Sequence, residues 1–237
     1  MKSYRHKTGV TLVEILIVVA VIAILTTMVV GIATRISNQS KEQLTKNTFA
    51  LLNAALGQFR DYGYNYNPIT VDVAERFFYH SLDFPPDCNG LMLTDLQLAL
   101  AKALGLPPGM VSISGGVHDD PNYSGSEVLY FFLNRVPTSR QTLKKIDDSL
   151  ITNEGFGKQP MNITIGVKMY PLLRIIDPWG TTLHYDYYPD FADYTGLGGL
   201  VGYFGYAGKS KRNFPEITSA GPDRIFGTGD DITNRKK

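Results

Sequence analysis

Glu14 is the residue in this 237-residue chain whose type and setting most clearly ask for chemistry. It is the only charge in Val10–Ala33, VTLVEILIVVAVIAILTTMVVGIA. A carboxylate five residues into an apolar run is costly to bury and needs a partner. The first residues of the run hold no cation. A cut between Gly9 and Val10 would create an α-ammonium at Val10, one helical turn before Glu14. In a packed array of identical helices, Glu14 of one subunit would neutralise that amine on its neighbour. The pair would then set the axial register of the assembly.

At the other end of the chain, Asp223, Asp230 and Asp231 lie close together, separated by glycines that let carbonyls turn inward. Calcium takes about 6–8 oxygen ligands, which carboxylates, carbonyls and water can supply. No Glu closes a twelve-residue loop here, so the spacing is not that of an EF-hand. On residue types alone the cluster favours a solvated acidic turn whose aspartates cap nearby amides.

The remaining candidates carry less. His80, His118 and His184 share no metal-ligand spacing, and each reads as a surface or interface histidine. Asp119-Asp120 and Asp147-Asp148 are adjacent pairs whose side chains diverge on regular elements. Cys88 is the only cysteine, which excludes an internal disulfide, and no neighbour suggests an activated nucleophile. There is no phosphate loop, nucleophile elbow, HExxH or dinucleotide fingerprint. The chain is read as a non-enzyme. With 23 basic and 22 acidic side chains the formal charge is +1, which gives no global footprint for nucleic acid. The tyrosines from Tyr185 to Tyr206 suit either a lateral interface or exposed strands.

The elements that position these residues follow from periodicity. Met1–Gly9 is polar and basic; Val10–Ala33 is long enough for a bilayer core, which needs about 20 helical residues. The run is too long for a secretory signal, whose apolar core is about 7–15 residues, and no small-residue cleavage site follows it. From Arg35 to Tyr62 there is no proline, and Ile36, Leu44, Phe49, Leu52, Leu56, Phe59 and Tyr62 recur at helical spacing. One helix over Val10–Tyr62 would be ~80 Å long. Beyond Gly63, helices are expected at Asp72–Leu82, Leu91–Leu104 and Ser139–Leu150, with Glu127–Val136 either helix or strand. A Gly-rich loop is expected at Ser114–Gly125. Strands are expected at Met161–Ile176, Thr181–Tyr188 and Gly202–Ala207, with a turn at Asp177–Gly180. A long helix followed by a head of helices and a small antiparallel sheet makes an α+β fold.

The stretch Lys7-Thr8-Gly9-Val10-Thr11-Leu12-Val13-Glu14-Ile15-Leu16 resembles the processing and assembly motif of type IV prepilins and type II secretion pseudopilins. The resemblance covers about the first thirty residues. It implies a pilin-like fold, cleavage after Gly9 by a prepilin peptidase, methylation of Val10, and a filament contact from Glu14 to the neighbouring terminus. Val10 stands where the family most often has Phe, and Gly31 where many members have Pro. The implied organisation is a leader at 1–9, a transmembrane and assembly half-helix at 10–33, its continuation at 34–62, and a periplasmic α+β head at 63–237. The implied partners are a homo-oligomeric filament, other pseudopilins, the inner-membrane assembly platform and the inner membrane itself, with no nucleic acid. The implied location is a single pass through a bacterial inner membrane.

Two further stretches resemble the G-type major pseudopilin. Asp177-Pro178-Trp179-Gly180 reads more simply as a turn that plugs Trp179 into the helix–sheet interface. Ser219–Ile232 (SAGPDRIFGTGDDI) lies where G-type pseudopilins carry a calcium loop, which implies a structural Ca²⁺ held by Asp223 together with Asp230 or Asp231. A middle segment, Thr70–Gln159, is longer than a minimal G-type head needs, which points toward a minor, tip-located or lineage-specific pseudopilin; a minor or type IV pilin is a further alternative. The rival of another class is a membrane-anchored binding module or enzyme that uses a prepilin-type anchor.

Overall fold

A computed structural model describes residues 12–64, 84–85, 88, 93–104, 106–107, 109–117, 123–187 and 214–235; within these, the side chains of 29–34 and a few others lie outside the description. The chain divides into two compact units, Met1–Lys41 and Glu42–Lys237.

Helix α1 runs Leu12–Tyr64, 53 residues, with Glu14 in its first turn. In the first unit its described apolar side chains are exposed, from Leu12 to Met28. The two threonines in this stretch turn their hydroxyls back onto the helix: Thr26 donates to the Ile22 carbonyl at 2.7 Å and Thr27 to that of Ile24 at 2.8 Å. Their polarity is thereby satisfied within the helix, as an apolar surrounding requires.

In the second unit, α1 buries Thr45, Thr48, Phe49, Leu52, Ala55, Leu56 and Phe59. This is a single helical stripe at spacings of three and four. Its threonines extend the stripe where an apolar count stops, and Thr48 donates to the Leu44 carbonyl. Ile36, expected on this stripe, is exposed. It lies in the first unit, before the head core begins.

The head follows as α2 (Leu93–Ala103), β1 (Val111–Val117), α3 (Tyr123–Leu133), α4 (Pro137–Leu143), a 3-10 turn (Asp148–Leu150), then β2 (Ile151–Thr152), β3 (Phe156–Ile165), β4 (Lys168–Pro171), β5 (Arg174–Ile175), β6 (His184–Asp186), β7 (Glu216–Ser219) and β8 (Ile232–Thr233). Among the described residues, three small antiparallel sheets are ordered β1-β3-β4, β2-β5 and β6-β7-β8. The fold is mixed α+β, consistent with a pilin-like fold. The core joins Leu52 and Leu56 of α1 to Leu129 and Phe132 of α3, Met161 and Ile163 of β3, and Ile217 of β7. Phe59 meets Phe132 edge to face. Ser139 and Thr142 of α4 donate to the Ala55 carbonyl and the Gln58 side chain.

Several expectations need correction. The Gly-rich segment from Ser114 is not a loop throughout: it continues β1, paired with β3. Gly115 has φ +108°, and a Cβ there would collide with the Pro160 carbonyl, so the glycine permits the close strand approach. Ser139–Leu150 is not one helix. It breaks after Leu143, and Asp147 starts a new 3-10 turn by accepting the Ser149 amide at 2.9 Å. Glu127–Val136 resolves to helix, and α3 begins earlier, at Tyr123. Met161–Ile176 comprises the end of β3, then β4 and β5, with a two-residue turn at Gly166-Val167. Tyr185 and Tyr187 are buried rather than at a surface; the Tyr185 hydroxyl donates to the Pro85 carbonyl at 2.8 Å. The expected helix at Asp72–Leu82 and strand at Gly202–Ala207 lie outside the described residues.

Candidate functional site

Of the N-terminal candidates, Gly9 and Val10 lie outside the described residues, and Glu14 stands in the first turn of α1 on an exposed position. A carboxylate suits that end of a helix, where unpaired amides carry partial positive charge. Around it the described surface is apolar on every side, with Leu12 81% exposed. Such a surface needs a cover, whether lipid or other helices. Among the described residues no helix is long and apolar enough to cross a membrane; the apolar run of the sequence extends past the described side chains at both ends.

The C-terminal loop is built by its own aspartates. It leaves β7 at Ser219, whose hydroxyl donates to Asp177 Oδ2 at 2.7 Å and accepts the Gly221 amide at 3.1 Å. Gly221 has φ +68° and lies so close to the Asp230 carbonyl that no Cβ would fit. Asp223 Oδ1 accepts the Ile225 amide at 2.8 Å, and Asp230 Oδ2 accepts the Asp223 amide at 3.1 Å. Asp230 Oδ1 accepts the Thr228 hydroxyl, and Asp231 Oδ2 accepts the Gly227 amide at 2.8 Å. Thr228 was not foreseen from the sequence; a short hydroxyl side chain two residues from an Asp is too common a pattern to single out.

These bonds hold the Asp230 carboxyl below the usual carboxylate range, the Thr228 hydroxyl first and the Asp223 amide second. A pKa lowered on folding adds stability above the unfolded value that is lost as pH falls through the folded one. The Asp230 contribution to the loop is therefore present at neutral pH and is lost as pH falls through its lowered value.

Asp223 and Asp230 are brought together through the Asp223 amide, and the acidic-turn geometry accounts for most of the carboxylate oxygens. Asp231 Oδ1 is buried with no hydrogen-bond partner. Among the described residues no group of three or more His, Cys, Asp or Glu side chains is placed to hold a metal ion.

The Asp177–Gly180 turn is one unit with this loop. Asp177, 2% exposed, accepts the Trp179 and Thr181 amides on Oδ1 and the Ser219 hydroxyl on Oδ2. Trp179 is buried, as a plug would be. The loop's far end is tied down by Asn234, which donates to the Asn53 side chain of α1 at 2.7 Å and accepts the Ile217 amide at 3.0 Å.

Among the other candidates, His184 lies 3.4 Å from Asp186 and stacks against Phe226 of the loop. Cys88 is fully buried. Asp147 caps a turn, while Asp148 opens it. His80, His118 and Asp119-Asp120 lie outside the described residues.

Residues 4–30 match the family model described as the prokaryotic N-terminal methylation motif. The match spans Gly9, Val10 and Glu14 and supports placing the chain among type IV pilin-like proteins. A motif of that kind implies processing by a prepilin peptidase, pilus-like assembly and membrane anchoring, and it points to a structural subunit. Comparison of the chain with curated proteins and with solved structures gives no match.

Proposed function

We propose that the chain is a structural, non-catalytic subunit of a type II secretion pseudopilus, most similar to the G type, anchored once in the inner membrane with its head in the periplasm. The observation that carries this reading is the coincidence of a basic leader, Gly9, Val10, Glu14 and the apolar helix inside one matched motif. Insertion stores the subunit; removal of Met1–Gly9 frees the Val10 amine for methylation; and Glu14 of one subunit meets that amine on the next. Desolvation inside a helix bundle makes the ion pair strongly dependent on register. The platform and the other pseudopilins supply assembly, and this chain supplies packing. An anchored binding module that merely borrowed the motif would not need Glu14.

Glu14→Ala separates the two. In the filament reading the variant is still cleaved after Gly9 but yields no filaments, a loss read by shearing and microscopy. Normal filaments from Glu14→Ala would overturn it.

A second reading is carried by Asp231 Oδ1, a buried oxygen with no donor. We propose that Asp231, with Asp223 and Asp230, takes a structural Ca²⁺: the carboxylates, not grouped for a metal in this structure, would turn from their amide and hydroxyl partners toward the ion, with loop carbonyls and water as its remaining ligands. The ion would supply charge neutralisation to a tail too short to bury a core of its own.

A further inference from the structure

We propose that Asn234 is a latch that makes the C-terminal loop and helix α1 respond together, so that a change which loosens or orders the loop also loosens or orders the head's hold on α1. Both side-chain hydrogens of this residue are committed. Its Nδ2 donates to Oδ1 of Asn53 on α1 at 2.7 Å and to the Pro215 carbonyl at 3.2 Å. Its Oδ1 accepts the Ile217 amide at 3.0 Å, and its own backbone amide donates to the Ile217 carbonyl at 3.0 Å. Two oxygens face the nitrogen and an N–H faces the oxygen, so the carboxamide stands only one way round.

The loop is thus tied at both ends, to different elements. At its start Ser219 holds the buried Asp177 of the turn, and at its end Asn234 grips β7 and α1 together. Between the ties, residues 222–229 are exposed and held by bonds among the loop's own residues, so the loop belongs to the low-stability end of the fold. Helix α1 is the opposite case, with Leu52, Ala55 and Leu56 fully buried. Asn53 stands at the half-covered edge of that stripe. A second tie runs beside the latch: Phe214 packs edge to face on Phe84, and the Arg60 guanidinium of α1 lies over the Phe84 ring at 5.7 Å. Ring contacts survive small sliding, whereas a hydrogen bond fails when its end shifts, so the Asn234 bond is the tie that senses the loop. The coupling needs no bound ion and no neighbouring copy. An ion or a copy that ordered the loop would act on α1 through it, and a load on α1 would reach the loop by the same bond.

Hydrogen exchange of the full-length chain in detergent, read by mass spectrometry with EDTA present, tests the latch. Asp230→Ala removes the acceptor of the Thr228 hydroxyl and the Asp223 amide and so loosens the loop. It is expected to quicken exchange across residues 219–233 and, by roughly three- to tenfold, in the α1 amides of 49–56, with the β3 amides of 161–165 unmoved. Asn53→Ala cuts the tie to α1 while leaving the Asn234 bonds to β7 in place. In that background Asp230→Ala should quicken the loop alone, and Asn234→Ala should behave in the same way. Should Asn234→Ala fail to fold, Asn53→Ala decides alone. Unchanged α1 exchange in Asp230→Ala overturns the latch, and so does an α1 response that persists with Asn53→Ala present. Equal quickening of β3 would mean general loss of stability and also overturn it. A loop that does not quicken in Asp230→Ala is not built by its aspartates, and the latch then has nothing to sense.

Discussion

Carboxylates in this chain serve three different ends, and the difference lies in what each can accept. Asp177 is buried and fully used, taking two amides and a hydroxyl, so its charge is spent on holding a turn. Asp223 and Asp230 shape the loop from outside. Of the loop's aspartates, Asp231 keeps a buried oxygen without a donor. If that oxygen ligates calcium, EDTA should lower the thermal midpoint of the full-length chain in detergent. The shift is roughly 2–4 °C for each kcal/mol of binding free energy in a domain of this size. Asp231→Asn should erase the difference between calcium and EDTA. An unchanged midpoint in the unaltered chain would contradict the site. The sequence marked all three aspartates as a cluster. It did not distinguish them, because the partners that set their roles, Thr228 and the amides of Ile225 and Gly227, come from the loop's own turns.

Helix α1 is made of two materials. From Leu12 to Met28 its exposed surface is apolar apart from Glu14 and two threonines, and in the second unit it buries a stripe of Thr, Phe, Leu and Ala in the head core. A truncation should read out differently in each. Leu52→Ala removes a fully buried side chain and should cost about 2–5 kcal/mol, lowering the denaturant midpoint of the full-length chain. Leu16→Ala, on the exposed apolar part, should leave that midpoint unchanged. Equal losses would contradict the division. The helix was legible because its periodicity persists without proline for dozens of residues, and α2 was legible from its amphipathic pattern and the glycine and prolines that follow it. Strand β1 was not. Ser114-Gly115-Gly116 has turn composition, and only the approach of the Pro160 carbonyl explains why glycine is needed inside a strand. The break after Leu143 was hidden for a similar reason: the Asp147 cap competes with helix continuation through a local bond that apolar periodicity does not register.

For the whole molecule, the proposed processing makes the formal +1 that of a precursor. Removing Met1–Gly9 takes away Lys2, Arg5 and Lys7, so 23 basic side chains fall by three against 22 acidic ones and the balance becomes −2. The N-terminal motif was legible in the sequence because its parts stand at fixed offsets in one continuous stretch. Processing is the step on which the account depends, and mass spectrometry of the mature N-terminus tests it most directly. The account predicts a chain beginning at Val10, heavier by one methyl group on its terminal amine. An intact Met1, or an uncut Gly9–Val10 bond in the membrane-inserted chain, would contradict it.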